Sequence, residues 1–380
     1  MPDLDQAIRI IVPGYRSAGL EEVLDMHYDG EKIIFSPTDM RYPERTGIEE
    51  ALAKAGEFHS RFRHPFIWDI YQLSSELDVS IEDLREVSKC ASSRYRRYYI
   101  KTRSGKFRKI EEPDYLVSML QRRILRRILR FYDISEHAAA YHKGASVKQN
   151  AQPHVGKKYL LKMDLKDFFG HVTDSMLLRT AFSIEHFPFF IGKMLTDICT
   201  RHGAIPQGAC TSPALSNIVM KEFDDRMGRW CRGNGVTYTR YSDDLTFSSD
   251  RPLYGTYLRA RKLLGWMGFE VNEEKTHFIT AANRQQVTGL VVNDVLDVPS
   301  DYRRKLRQEI YYVLRFGAEE AFSRCYDRLD EPDLTVRRYL LRLIGKTDYV
   351  LQVRKEDSFF LNAKKRLAEE IGVLDHPFLS

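Results

Sequence analysis

The chain has 380 residues, of which 43% are hydrophobic and 29% are charged, with 22 Gly and 14 Pro. These values are typical of a globular protein of two or three domains, and they exclude a collagen-like, low-complexity or largely disordered chain. No apolar run reaches the ~18 residues of a membrane span, and the N-terminus lacks the basic and apolar regions of a signal peptide. We therefore expect a cytoplasmic protein with no membrane partner.

The formal net charge is +6, from 59 Lys plus Arg and 53 Asp plus Glu, and the basic residues are unevenly distributed. Residues 94–130 contain thirteen Lys or Arg and three acids, with Tyr95, Tyr98, Tyr99 and Phe107 between them. This pattern suits phosphate backbones and stacked bases, although a solvated basic helix face would look similar. The five cysteines are an odd number without CxxC spacing, so we expect buried thiols rather than disulfides or a zinc site.

The first two parts of the chain, in order, are an N-terminal extension and a basic hairpin-and-helix unit. Residues 1–66 contain strand-like runs at 8–12 and 32–35 and a helix-like stretch at 48–58. Residues 67–91 have a helical pattern, with Ser80 as an N-cap followed three residues later by Asp83. A hairpin is predicted at 98–102 and 106–110. Apolar residues from 116 to 131 then recur at helical spacing, with arginines on the other faces.

Strand-like and helix-like segments alternate through the middle of the chain, which favours an α+β or α/β domain. The predicted strands are 159–163, 237–241 and 245–247. The predicted helices are 174–182, 189–200, 212–231 and 254–267. After Pro299 the pattern is almost wholly helical and basic. The predicted division is therefore 1–66, 67–160, 161–298 and 299–380.

Three acidic residues, distant along the chain, are candidates for a metal site. Asp243 and Asp244 lie between two β-rich runs, where their mutual repulsion is costly unless a cation lies between them. Asp-rich turns without a metal are common, because Asp favours turn conformations. Asp164, however, follows an apolar strand that could bring a third carboxylate to the pair. Three such ligands would suit Mg²⁺, which takes its remaining ligands from water and substrate phosphates.

A loop between these acids could hold a nucleotide or a primer end. Gly208 would allow a ligand to approach the backbone closely, and Ser212-Pro213 is an N-cap followed by proline at the first helical position. An ordinary strand-loop-helix connection would have the same composition.

Four segments, in chain order, resemble motifs A, B, C and D of the reverse transcriptases. They are Asp164 to Phe169, Pro206-Gln207-Gly208 with Ser212-Pro213, Tyr241-Ser242-Asp243-Asp244, and residues 271–276. The resemblance covers about residues 68–380 and implies an α+β, right-hand polymerase fold. Residues 67–160 would form the fingers with N-terminal helices, 161–298 a palm with an antiparallel sheet plus helices, and 299–380 a helical thumb.

The resemblance also implies roles for individual residues. Asp164 and Asp243 would coordinate two Mg²⁺ ions, with Asp244 in support and Mn²⁺ as the alternative metal. Lys275 matches the lysine that protonates the departing pyrophosphate, and its alternative interpretation is a solvated turn residue.

Further residues match the nucleotide site of the family. Phe169 matches the gate that rejects a 2′-hydroxyl and so favours dNTPs, while Gln207 and Gly208 would line the nucleotide pocket. Lys101 and Arg108 match the basic fingers residues that clamp the triphosphate.

Two shorter segments are similar to sequence signatures of bacterial retron reverse transcriptases. Asn150 to His154 matches NAxxH, and Val287-Thr288-Gly289 matches VTG. Outside this context, Asn150 and His154 would be a surface pair one helical turn apart, and Thr288-Gly289 a simple turn. In their expected places they favour a retron enzyme over a group II intron or other bacterial reverse transcriptase.

A retron enzyme implies defined partners. It would bind its cognate structured noncoding RNA, prime from the 2′-hydroxyl of a guanosine, use dNTPs, and produce branched multicopy RNA–DNA (msDNA). It would act in anti-phage defence with a separate effector protein. The residues predicted to contact primer, template or RNA are Tyr241, Asn150, His154, Thr288, Gly289, Arg303, Arg304 and Arg307. The alternatives are another defence-associated or group II intron-like reverse transcriptase, and a noncatalytic RNA-binding scaffold.

Overall fold

The computed structural model describes residues 26–28, 33–35, 58, 61–101, 105, 107–326 and 335–375. The strands are β1 Met26–Tyr28, β2 Ile33–Phe35, β3 Tyr95–Lys101, β4 Phe107–Pro113, β5 Tyr159–Leu165, β6 Thr237–Tyr241, β7 Asp244–Ser249, β8 Val271–Thr280, β9 Gln286–Val287 and β10 Leu290–Val291. The helices are α1 Ile70–Leu77, α2 Ile81–Cys90, α3 Tyr115–Arg127, α4 Val147–Ala151, α5 Phe168–His171, α6 Asp174–Leu177, α7 Phe189–Cys199, α8 Ser212–Gly233, α9 Tyr254–Met267, α10 Ser300–Phe316, α11 Ala318–Tyr326, α12 Val336–Val353 and α13 Ser358–Asp375. None of the helices in these ranges combines the length and apolar character that crossing a bilayer requires.

The chain forms two compact units, each built from several segments. Unit 1 comprises Met1–His142, Leu165–Met227 and Arg261–Asn272. Unit 2 comprises Lys143–Asp164, Gly228–Ala260 and Glu273–Ser380. The boundaries at 66, 160 and 298 stay predictions.

The helices near the start of unit 1 begin where the sequence predicts. The Ser80 hydroxyl accepts a hydrogen bond from the Asp83 amide at 3.0 Å, and this capping bond starts α2. In α3, Leu120 and Ile124 are fully buried. Arg123 donates to the Leu77 carbonyl at the end of α1, 2.7 Å away, and Arg127 donates to a neighbouring carbonyl of that helix. These two arginines therefore satisfy helix-end carbonyls, so they are not part of a face left free for phosphates.

The basic hairpin extends further than its sequence pattern indicates. Strands β3 and β4 pair antiparallel from Tyr95 opposite Pro113 to Lys101 opposite Phe107. Tyr99 and Phe107 are 60% and 70% exposed. Aromatic rings and basic side chains thus share the surface of the hairpin, as their alternation in the sequence predicts.

A four-stranded sheet has the order β6-β7-β5-β8. Strand β7 is antiparallel to both β6 and β5. The side chains of Leu161, Met163, Leu245 and Phe247 are buried, and because side chains alternate along a strand they define one apolar face of the sheet. Asp164 and Asp244 belong to the opposite face.

The C-terminal helices pack around one core in unit 2. Leu306 and Ile310 of α10, Leu340 and Leu343 of α12, and Phe360 of α13 are buried there. The core also contains Val287, Leu290 and Val292 from the β9–β10 hairpin and the segment after it. The predicted helical region after Pro299 is confirmed.

Most of the N-terminal extension lies outside the described residues, including the predicted strand at 8–12 and nearly all of the predicted helix at 48–58. Strand β2 confirms the strand predicted at 32–35 and pairs with β1. Phe58, Phe62 and His64 join an aromatic cluster with Tyr132. Within the cluster, His64 and His186 share a hydrogen bond of 2.8 Å.

Candidate active site

A tight hairpin carries two of the three predicted carboxylates. Tyr241 and Asp244 pair across β6 and β7, so the connecting loop consists of Ser242 and Asp243 alone. Ser242 has φ +62°, a conformation that a two-residue hairpin needs and that glycine adopts most easily. The fully buried side chain of Arg240 donates through Nη1 to the Ser242 carbonyl at 3.0 Å. The turn is therefore held from inside the protein.

The third carboxylate lies beside this hairpin. Asp164 pairs directly with Asp244 across β5 and β7, and it is only 8% exposed. Burial raises the pKa of the Asp244 carboxyl to about 6, and the negative charges of Asp243 and Asp164 act in the same direction. The fold thus concentrates negative charge where β5 ends and β7 begins.

Lys275 supplies the neighbouring positive charge. Its Nζ lies 2.9 and 3.0 Å from the two carboxylate oxygens of Asp164. The hydrogen bond to Asp164 raises the pKa of Lys275, with further contributions from the charges of Asp243 and Asp244. The residue lies in strand β8, so the alternative of a turn residue is wrong, while the solvation that this alternative expected is present, since the side chain is 60% exposed.

The chemistry of these acids fits a divalent cation. A carboxyl group with a raised pKa among like charges is one whose charged form a cation would stabilise, and carboxylate oxygens are the ligands that Mg²⁺ prefers. Within the ranges that the structure describes, no three Asp, Glu, His or Cys side chains already form a metal-binding group. Asp164 is bound to the Lys275 ammonium instead.

The predicted nucleotide-binding residues belong to unit 1, whereas the acids belong to unit 2. The Gln207 carbonyl accepts a hydrogen bond from the Glu111 amide of β4 at 2.8 Å. Gly208 has φ +136°, and a Cβ there would lie 2.6 Å from the Glu111 carbonyl oxygen. This glycine therefore permits a close approach between the loop and the hairpin that carries Arg108. Arg108 itself is exposed.

Lys101 and Phe169 complete the predicted nucleotide set. Lys101 is exposed at the end of β3. Phe169 is half-buried on the short helix α5, with its ring 5.5 Å from that of Phe168. A gate residue must present part of its ring, and the partial exposure of Phe169 is consistent with that.

Two of the predicted RNA-contacting residues are interior. Asn150 and His154 are fully buried, so neither is a member of a surface pair. The side-chain amide of Asn150 donates to the Thr288 hydroxyl at 3.4 Å, and His154 binds the hydroxyls of Thr239 and Ser248. The expectation that Asn150 and His154 contact RNA directly is therefore corrected, because both side chains are fully enclosed by protein, where Oδ1 of Asn150 is buried without a hydrogen-bond partner among the described residues.

The remaining predicted RNA contacts are at least partly accessible. Tyr241 and Thr288 are half-buried, and Gly289, Arg304 and Arg307 are exposed. Arg303 is largely engaged within the protein, because it pairs with Asp297 at 3.0 Å and donates to the Val298 carbonyl. Arg307 lies over the Phe359 ring, 5.2 Å from its centroid.

Sequence reasoning missed two residues that shape the site. Arg240 is buried in the strand before the acidic turn, and only its position next to Tyr241 could have indicated a structural role. Glu111 is 6% exposed and pairs with Arg201, Arg97 and Lys109. An acid within a strongly basic block was the signal that could have identified it.

Comparison of the chain with known protein families identifies the family to which it belongs. Residues 100–301 match the family described as reverse transcriptase (RNA-dependent DNA polymerase). The chain belongs to the reverse transcriptase family. Its α+β, right-hand polymerase fold and its class as an RNA-directed DNA polymerase follow from that membership.

Individual relatives agree with the more specific resemblance. The retron Mx65 reverse transcriptase of Myxococcus xanthus is 33% identical over 280 residues, covering 68% of this chain and 66% of that enzyme. The retron Ec86 reverse transcriptase of Escherichia coli is 29% identical over 272 residues, covering 68% of this chain and 84% of that enzyme. The identification as a retron reverse transcriptase is thus confirmed.

Among solved structures, a telomerase from Candida albicans with a fragment of telomeric RNA matches with a TM-score of 0.41 and 12% identity. That match covers 73% of this chain and 63% of the telomerase chain.

Proposed function

We propose that this reverse transcriptase copies part of its cognate structured noncoding RNA into branched multicopy RNA–DNA (msDNA). It uses dNTPs and two Mg²⁺ ions, with Mn²⁺ as the alternative, and acts in anti-phage defence with a separate effector protein. The observation that supports the catalytic part of the proposal is the direct pairing of Asp164 with Asp244, with Asp243 in the adjoining turn.

Asp164, Asp243 and Asp244 would hold the ions at the end of a primer. Bound there, the metal ions would lower the pKa of the primer hydroxyl and neutralise the charge on the departing pyrophosphate. The chain's own groups do the positioning, which supplies much of the rate of phosphoryl transfer. The buried Arg240 and the short Ser242-Asp243 loop keep the carboxylates at a fixed place on the sheet.

Other residues would bind and select the incoming nucleotide. Lys101 and Arg108 would bind its triphosphate, and the loop at Gln207 and Gly208 would line its pocket. Phe169 would exclude a 2′-hydroxyl and so select dNTPs. Lys275, already close to the acids, would donate a proton to an oxygen of the departing pyrophosphate.

Recognition of the RNA would fall to exposed groups of unit 2. Arg304 and Arg307 on α10, with the partly exposed ring of Tyr241, would contact phosphates and bases. The Thr288-Gly289 turn would contact the RNA through the backbone of the exposed Gly289. Arg303 would keep its side chain on Asp297 and so orient the start of α10.

Replacing the two turn acids tests the catalytic proposal. The variant with Asp243→Asn and Asp244→Asn should lose at least ~10³-fold in dNTP incorporation, while its affinity for the RNA stays within about twofold. The matched control is Asp250→Asn, at an exposed carboxylate just after the same strand. Retained incorporation in the double variant would reject these residues as the metal ligands. Lost RNA binding would reject their assignment to catalysis alone.

Sequencing the nucleic acid that co-purifies with the full chain tests the retron part. The expected product is a DNA joined 2′–5′ to one RNA, so treatment with a debranching enzyme should release a free DNA end. A DNA with an ordinary 3′–5′ junction would instead support another defence-associated or intron-like reverse transcriptase. RNA without any DNA would support the noncatalytic scaffold.

The N-terminal extension, residues 1–66, precedes the region that resembles the reverse transcriptases, and we propose that it binds the effector or the RNA–DNA. Deleting residues 1–57, which spares Phe58 and its aromatic cluster, should leave DNA synthesis unchanged and abolish co-purification of the effector. Unchanged co-purification would assign the effector to another surface.

A further inference from the structure

The imidazole of His154 bridges two side chains of the paired strands that enter and leave the acidic turn. Its Nδ1 is 2.7 Å from the Ser248 hydroxyl on β7. Its Nε2 is 2.8 Å from the Thr239 hydroxyl on β6. The backbones of the two strands are already paired. A planar ring bound at both nitrogens adds a directional side-chain link that resists sliding of one strand along the other.

The imidazole acts on the face of the sheet that carries the acids. Thr239 and Tyr241 are two residues apart on β6, and Tyr241 pairs with Asp244. Ser248 and Asp244 are four residues apart on β7. Residues separated by two or four positions in a strand point to the same face. His154 therefore binds the hairpin on the same face as Asp244, a few residues further from the turn.

The charge state of His154 suits this role. Burial lowers the pKa of His154 to about 3, so the ring is neutral near neutral pH. In a neutral imidazole one nitrogen donates and the other accepts. A hydroxyl can do either, so both hydrogen bonds can be satisfied at once.

The segment that carries His154 also contacts the region of the VTG signature. The side-chain amide of Asn150 donates to the Thr288 hydroxyl, which in turn donates to the Val147 carbonyl at 3.2 Å. The Gly156 amide donates to the Val292 carbonyl at 3.0 Å. Val292 belongs to the same core as the C-terminal helices. Residues 147–156 thus bind the acidic hairpin at one end and the β9–β10 region along their length.

We propose that His154 is a positioning residue for the polymerase reaction. It holds β6 and β7 so that Asp243 and Asp244 face Asp164, and it links that hairpin to the β9–β10 region and the helices packed on it. The NAxxH and VTG segments then act as one internal brace, and their contribution to RNA use is indirect. This inference rests on the proposed catalytic role of the three acids.

The test uses the full-length protein with a poly(rA)–oligo(dT) primer–template and dTTP. The variants are Thr239→Val and Ser248→Ala, which each remove one hydroxyl, and His154→Ala, which removes the brace. A displacement of ~1 Å in a catalytic group can cost about 100-fold in rate, so we expect kcat to fall about 10- to 100-fold in His154→Ala. The KM for dTTP and the affinity for RNA should stay within about twofold. The Mg²⁺ concentration that gives half the maximal rate should rise several-fold.

Two comparisons separate positioning from a general loss of stability. His186→Ala removes a different histidine hydrogen bond, the one to His64 in unit 1, and should keep kcat per folded molecule within about twofold. Once His154 is absent, Thr239→Val and Ser248→Ala should have little further effect on kcat, because each acts through the imidazole. If His154→Ala does not fold, the two hydroxyl variants decide the matter with the same measurements.

The measurements separate a failure of the positioning role of His154 from a failure of the proposed catalytic site. If Asp243→Asn retains incorporation, the proposed catalytic site is wrong. If Asp243→Asn is inactive while all three brace variants keep kcat and Mg²⁺ dependence within about twofold of wild type, the positioning role is wrong. It is also wrong if His186→Ala lowers kcat as much as His154→Ala.

Discussion

Gly208 offers the sharpest test of how the nucleotide loop fits against the hairpin. A Cβ at this position would lie 2.6 Å from the Glu111 carbonyl oxygen and 3.1 Å from its carbonyl carbon and from Cγ2 of Ile110. Two of these three atoms are backbone, so they cannot rotate away. Overpacking of this kind costs about 1–3 kcal/mol, and a side chain at φ +136°, a conformation almost restricted to glycine, adds about 1–3 kcal/mol. We therefore expect Gly208→Ala to lower the free energy of unfolding by about 2–6 kcal/mol.

The control is Gly203→Ala, because Gly203 has φ +85° but no atom within 4 Å of an added Cβ. This variant should show the backbone contribution alone, about 1–2 kcal/mol. Urea denaturation followed by circular dichroism measures both variants, and incorporation assays at varied dTTP measure the KM. The hydrogen bond from the Glu111 amide to the Gln207 carbonyl should weaken, so the KM should rise in Gly208→Ala. Equal destabilisation of the two variants would refute the close approach.

Three further predictions concern the helices, the acidic turn and pH. Arg123→Ala should destabilise the protein by about 1.5–3 kcal/mol in chemical denaturation, because a charged donor to the Leu77 carbonyl is lost. The control Arg122→Ala, at an exposed residue, should change stability by less than ~0.5 kcal/mol. Equal effects of the two variants would contradict the role given to Arg123 at the end of α1. Ser242→Gly should raise the melting temperature slightly, since relief of the positive φ contributes about 1 kcal/mol; a lower melting temperature would show that the serine side chain matters more than its φ. The pKa of His154 is lower in the folded protein, about 3, than the ~6.5 of an unfolded chain, so its contribution to stability is present above pH 6.5 and is lost as the pH falls. Between pH 6.5 and 5 this amounts to about 1.6 kcal/mol, and His154→Gln should reduce the loss on acidification by that amount relative to wild type.

Local patterns in the sequence were sufficient to predict much of the fold. The β-rich runs around Asp243-Asp244 are the two strands of a hairpin, and the apolar run before Asp164 is their neighbour in the sheet. Strand alternation and the placement of acids at strand ends determine that arrangement. The Ser80 cap was equally readable, because capping depends on residues only three positions apart.

Contacts between distant segments could not be predicted in the same way. Whether Lys275 lies in a turn or on a strand facing Asp164 depends on the register of β8, which no local pattern specifies. The burial of His154 depends on hydroxyl groups about 90 residues later in the chain. Similarly, Arg123 and Arg127 look like free cations until the end of α1 is placed beside them.

The position of β5 inside the sheet also limits how sequences of this kind can diverge. Asp164 belongs to a strand with β7 on one side and β8 on the other. Inserting or deleting one residue between Tyr159 and Asp164 would turn its carboxylate toward the face formed by Leu161 and Met163, where no water or cation could reach it. Changes in length that preserve the enzyme are therefore confined to the connections outside this strand.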